Sequence, residues 1–250
     1  MKRILPFGLA SLALLAAACG SGGGGSSSGA LGQKSPKQIL ASAVAAAKKS
    51  GTVHFKLLGT ESGKTESIVG DASGSDGREI ITAGTVEIEA LVVKGAAYVE
   101  GNAGGLEDQM QLSAANATTY AGKWISVAST DAPYASLTKA VTLASTLTEL
   151  QPSGKLSLTA ATTKAAHAVI GVHGGLPGGA TKGTTGSATL YVSTAGPAVP
   201  IVFDATQTTS GTKETSVGTF TQWGKPLNLV APTATVAFSS LPVPTTPAAG

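Results

Sequence analysis

Apolar residues recur along this chain at two spacings, one helical and one extended, and their order predicts the elements. Ile39, Leu40, Ala43, Val44 and Ala47 fall on one helical face. Ser35-Pro36 supplies an N-cap and a first helical residue, Lys48 and Lys49 suit the negative end of the helix dipole, and Gly51 ends it. From Thr52 the period becomes two: Val53, Phe55 and Leu57 alternate with His54, Lys56 and Leu58. Turns near Gly63-Lys64 and at Ser73–Gly77 lead into extended runs at Thr65–Ala72 and Arg78–Thr82. In Thr85–Val93, Val86, Ile88, Ala90 and Val92 alternate with Glu87, Glu89, Leu91 and Val93, and Lys94-Gly95 turns the chain into Ala96–Glu100. Such successive strands with short polar turns predict an antiparallel meander. Gly105–Thr119 reads as one or two short helices and Lys123–Val127 as a short strand. Tyr134–Leu150 carries Leu137, Ala140, Val141, Ala144 and Leu147 at helical spacing, and Pro152 closes it. Strands then follow at Lys155–Thr162, Ala166–Val172, Ser187–Ser193, Pro200–Gln207 and Thr215–Gln222. The order helix, strands, helices, strands predicts an α+β fold with a mostly antiparallel sheet.

The N-terminal pattern is different. Lys2 and Arg3 precede an apolar stretch, Ile4–Ala18, that is shorter than the roughly 20 residues a spanning helix needs. A charged start, a short apolar run and small residues are the marks of a removable secretory signal. Ala16-Ala17-Ala18 followed by Cys19 resembles the bacterial lipobox, with Leu15 one place earlier than its usual Leu. That resemblance makes Cys19 the lipidated residue, carrying diacylglycerol and acyl chains such as palmitate. Acyl burial contributes about 0.8 kcal/mol per CH₂, and two or more chains anchor firmly. The expected organisation is a signal peptide at 1–18, a Gly/Ser tether with lipidated Cys19 at 19–33, a domain at 34–238 and a disordered Pro/Thr tail at 239–250. The expected location is the cell membrane, lipid-anchored on its extracytoplasmic face.

Composition narrows the chemistry. Charged residues make up 12% of the chain, against about 25% in average domains. Loss of Lys2 and Arg3 with the signal leaves 15 basic and 14 acidic groups, a balance that gives no electrostatic case for nucleic acid. Cys19 is the single cysteine, so the domain has no internal disulfide and no cysteine metal site. Gly25-Ser26-Ser27-Ser28-Gly29 fits G-x-S-x-G, and Gly20, Gly22 and Gly25 fit G-x-G-x-x-G, but both lie in the tether without the strand and helix that either mechanism needs. His167 and His173 share a strand face with no carboxylate between Lys155 and Ala198 to complete a metal set. His54 reads as an isolated strand residue. Glu87 and Glu89 lie on one strand face, which suits solvation better than a glycosidase pair flanking a substrate. Trp124 and Trp223 read as core or sheet-rim residues, and Gly171–Gly186 as a long Gly-rich loop. No catalytic set, metal site or cofactor is expected.

Several stretches together resemble the actinobacterial (mycobacterial) LppX/LprA/LprF/LprG lipoprotein family. They are Ser35–Lys49 running into Thr52–Leu58; Val92–Val99 followed by Gly122-Lys123-Trp124-Ile125; Leu190–Ser193 leading to Pro200–Phe203; and Phe220–Pro226 with Ala231-Pro232 after it. The resemblance implies a LolA/LolB-like fold, a curved antiparallel half-barrel covered by helices, with an apolar cavity between the layers. It also implies non-enzymatic binding of acyl lipids or lipoglycans and their movement across the envelope.

On this reading Val53, Phe55, Leu57, Val86, Ile88, Val92, Leu137 and Val141 are the candidate cavity-lining residues. The same set would serve equally in a filled core, which is the alternative: a surface-displayed binding or scaffold module. The expected partners are the membrane, through diacylglyceryl-Cys19, an acyl lipid or glycolipid ligand, and an envelope lipid exporter, with the chain a monomer.

Overall fold

The computed structural model describes residues 31, 33–61, 63–179 and 183–242. The signal segment, Cys19 and most of the tether lie outside them.

Helix α1 spans Pro36–Ser50. Its start is a reciprocal capping box: the Gln38 amide donates to Ser35 Oγ, and the Ser35 amide donates to Gln38 Oε1. This satisfies two donors that the first turn leaves free. Gly51 ends the helix in the left-handed region, at φ 79°, where only glycine goes without strain. Ile39, Leu40, Ala43 and Ala47 form its buried face.

Five strands follow as a meander: β1 (Val53–Glu61), β2 (Lys64–Ala72), β3 (Gly77–Ala83), β4 (Val86–Val93) and β5 (Ala96–Gly101). Helices α2 (Ala103–Met110) and α3 (Ala114–Tyr120) lead to β6 (Ile125–Val127), which pairs with β5. After α4 (Tyr134–Ala140) and α5 (Leu143–Glu149) come β7 (Ser153–Leu158), β8 (Thr162–Lys164), β9 (His167–Gly175), β10 (Thr184–Ser193), β11 (Pro200–Thr209) and β12 (Thr212–Thr221). β12 pairs with β1 and joins the two meanders into one open, curved sheet. Its order is β13-β6-β5-β4-β3-β2-β1-β12-β11-β10-β9-β7, where β13 is Val236–Ala237, and β8 pairs with β9 off this path. Among the described residues the β13–β6 pairing is parallel and the other strand pairings are antiparallel.

The register sorts side chains by face. A continuous inner row runs Ile88, Ile81, Ile68, Leu57, Gly218, Phe203, Leu190, Val172 across eight strands. Together with the buried faces of α1, α2 and α5 it belongs to a single apolar core. Chain length allows this: a domain of this size buries enough apolar surface for an independent core.

Three expectations change. The helix expected over Tyr134–Leu150 is two helices. At Thr142 the backbone turns extended (φ −90°, ψ 144°), and Thr142 Oγ1 caps α5 by accepting from the Ser145 amide. The Leu143 amide donates to Ser73 O at 2.8 Å, so the turn between β2 and β3 supplies a partner that helical continuation would have supplied internally. The Gly-rich stretch 171–186 is strand at both ends, because β9 runs to Gly175 and β10 begins at Thr184. Gly171 and Gly174 are needed there by close neighbours: a Cβ at Gly171 would sit 2.7 Å from Thr159 Oγ1, and one at Gly174 2.6 Å from Ser153 O.

The packed domain also extends past 34–238. Phe238–Ser240 forms a 3-10 turn, Leu241 is buried in the main core, and Asn116 Nδ2 donates to Pro242 O at 2.6 Å. At the other end Leu31 joins the same core. In both places one leucine within a polar run finds apolar neighbours and docks the backbone beside it.

Candidate functional site

The inner face carries the residues that periodicity singled out. Val53, Phe55, Ile88 and Val92 are buried in the main core, and Leu57 packs against it half-buried. Val141 is buried from the junction between α4 and α5, and Leu137 on α4 packs against the core. Val86 is half-buried at the start of β4, next to α2.

Packing along this face is uneven, and its glycines show where. A Cβ at Gly77 would overlap the Val141 carbonyl, so the α4–α5 junction rests on β3. A Cβ at Gly70 would overlap the Phe55 ring and lie 2.8 Å from Arg78 O, so Phe55 covers β2 there. A Cβ at Gly105 would overlap Glu87 O, which seats α2 on β4. Gly59 is the exception. It follows Phe55 and Leu57 at strand period, is itself buried, and yet a Cβ placed on it would meet no atom of the described residues within 4 Å. The inner face is therefore filled near Gly70 and Gly77, and open over Gly59. The cross-strand neighbours of Gly59 are Glu66 on β2 and Ser216 on β12.

Two buried carboxylates share this face. Glu66 is 5% and Glu79 8% exposed, and both hold interaction partners, as buried charges must. Glu66 was legible in the sequence: it has the same parity as Ile68 and Ala72, both buried.

The outer face holds a further set of charged side chains. His54 is not isolated, since Asp71 lies directly across from it and its Oδ1 is 2.9 Å from His54 Nδ1. Glu89 accepts from Arg78 twice, from Nε at 2.6 Å and from Nη2 at 3.0 Å. That contact raises the Arg78 pKa against a smaller opposing effect of burial. The Glu100 carboxyl is raised by burial first, then by Glu89 and Glu87. His173 Nδ1 lies 3.0 Å from Thr189 Oγ1, and His167 is exposed on the same strand. Among the described residues no three His, Cys, Asp or Glu side chains converge as a metal site. Trp223 Nε1 donates to Pro200 O at 2.8 Å and its ring lies 6.5 Å from that of Phe220. Trp124 is half-buried, and its carbonyl accepts from the Val236 amide. Among the described residues no helix is long and apolar enough to cross a membrane.

No protein-family model matches the chain, and no curated protein matches it. Solved structures do. LprF from Mycobacterium bovis aligns with a TM-score of 0.47 and 18% identity, over 79% of this chain and 96% of that one. The Mycobacterium tuberculosis lipoprotein LppX aligns with a TM-score of 0.46 and 15% identity, over 78% of this chain and 99% of that one. The chain is similar to these mycobacterial lipoproteins over most of its length. A chain of the Pseudomonas aeruginosa MucA/MucB complex aligns at a TM-score of 0.37 and 14% identity, over 75% of this chain and 56% of that one. All three of these TM-scores lie below 0.5.

Proposed function

We propose that this chain is a membrane-anchored lipoprotein that shelters acyl lipid between the inner sheet face and its helices, beside Gly59, and helps carry it across the cell envelope. The observation that carries this reading is the open space over a buried glycine. Around it lie Leu57, Ile68 and Ile81, an apolar wall on which each sheltered CH₂ contributes about 0.8 kcal/mol. Glu66, across from Gly59, sets a carboxyl at the edge of that wall. Lipidation at Cys19 and a Gly/Ser tether would hold the opening near the bilayer that supplies the ligand. An envelope exporter as partner and a monomeric state belong to the same proposal, as does the absence of catalysis.

A filled-core scaffold, the alternative, requires the face to be as tightly packed over Gly59 as over Gly77. Titration of the delipidated domain with a fluorescent fatty acid separates the two. Saturable binding, at least tenfold weaker in Gly59→Leu, is the expected result. Absence of saturable binding, or equal binding by both proteins, overturns the proposal.

A further inference from the structure

The sheet has a second hollow, on the face away from the proposed lipid space. After β12 the chain crosses the outer face of the first meander and returns to the sheet as β13, beside β6. Its start is fixed where the Gly224 amide donates to Thr52 O at 3.1 Å and Thr52 Oγ1 donates to Lys225 O at 2.7 Å. Its end is fixed where the Val236 amide donates to Trp124 O at 2.9 Å. Between these points this strap and the sheet enclose a partly open pocket of about 310 Å³, the lower end of the size range for small-molecule sites.

The floor is one outer cross-strand row, His54, Asp71 and Arg78 on β1, β2 and β3. The strap adds the polar residues Gln222, Lys225 and Asn228 to the lining. Donors exceed acceptors here. Asp71 is the one carboxylate in the lining, and His54 already engages it. Arg78 spends Nε and Nη2 on Glu89, and among the described residues Nη1 has no hydrogen-bond partner. The Lys225 ammonium makes no hydrogen bond or ion pair among the described residues. Two cations with uncommitted N–H groups, flanked by two side-chain amides, form the donor set that a tetrahedral oxyanion accepts from.

We propose that this outer pocket is a second binding site, which takes the phosphate group of a small polar molecule between Arg78 and Lys225. It lies on the opposite side of the sheet from Gly59, so it stands or falls independently of acyl-lipid binding. The phosphate has two sources, a free anion or a phospholipid headgroup, and both present the same oxygens.

The test uses the mature, lipidated chain in a neutral detergent, titrated with inorganic phosphate and separately with dihexanoyl phosphatidylglycerol, while the His54 imidazole signals are followed by NMR. Saturable movement of His54 with phosphate, weakened tenfold or more in Lys225→Ala, is the expected result for a free anion. Movement with the short phospholipid alone, equally dependent on Lys225, assigns the site to a headgroup. Lys225 is exposed, so its replacement leaves the fold intact. Arg78→Lys, which keeps the charge and loses the planar fork, is expected to weaken binding as well. No saturable shift with either ligand up to tens of millimolar overturns the proposal, as does binding that Lys225→Ala leaves unchanged.

Discussion

Val141 presses its backbone carbonyl and Cβ onto the bare Cα of Gly77, so that the break between two helices is locked to the start of a strand. A methyl group has no room between them. Gly77→Ala is expected to destabilise the domain by about 1–3 kcal/mol, the usual cost of forcing a group into a packed interior. Chemical denaturation of the two proteins measures it, and equal midpoints would show that the helices do not bear on β3.

The same junction depends on Thr142, whose hydroxyl caps α5. Thr142→Ala should cost about 1 kcal/mol, while Thr142→Ser, which keeps the oxygen, should cost less. Thermal unfolding of the pair separates loss of the cap from loss of the methyl group.

Glu100 gives a pH signature. Burial and the neighbouring carboxylates Glu89 and Glu87 raise its pKa above the ordinary 4.5, so the folded state disfavours its charge. Stability therefore falls as pH rises through 4.5 toward the raised value, and the full cost persists above it. Glu100→Gln should be more stable than the parent at neutral pH and indistinguishable from it well below 4.5. A stability difference that stayed constant across that range would contradict the assignment.

Arg78 and Glu89 make a two-point contact on a partly exposed surface, with side-chain exposures of 40% and 19%. Solvent screening limits its worth to about 0.5–1 kcal/mol. A double-mutant cycle with Arg78→Met and Glu89→Gln should return a coupling of that size, shrinking at high salt. A coupling near zero in low salt would remove any structural role for the pair.

The sequence reported some of this directly and some not at all. The capping residues of α1 and the alternation through Val53, Phe55 and Leu57 are local signals, and the structure follows them. The break at Thr142 is not local: apolar spacing runs straight through it, and the bond that favours the break comes from Ser73. The His54–Asp71 pair needs strand register, which a turn near Gly63 sets and periodicity does not report. Gly59 reads as a weak strand residue until no atom of the described residues is found within 4 Å of a Cβ placed on it. The strap from Gln222 to Thr235 has no period for a pattern search to find, since it forms no regular element before β13.

The central claim is that acyl chains occupy the space over Gly59. Native mass spectrometry of the chain purified from its own membrane in mild detergent tests it most directly, comparing wild type with Gly59→Leu. The account predicts non-covalent acyl-lipid adducts on the wild-type chain and their loss in the variant. Wild-type protein free of adducts, or adducts that persist undiminished in Gly59→Leu, would contradict it.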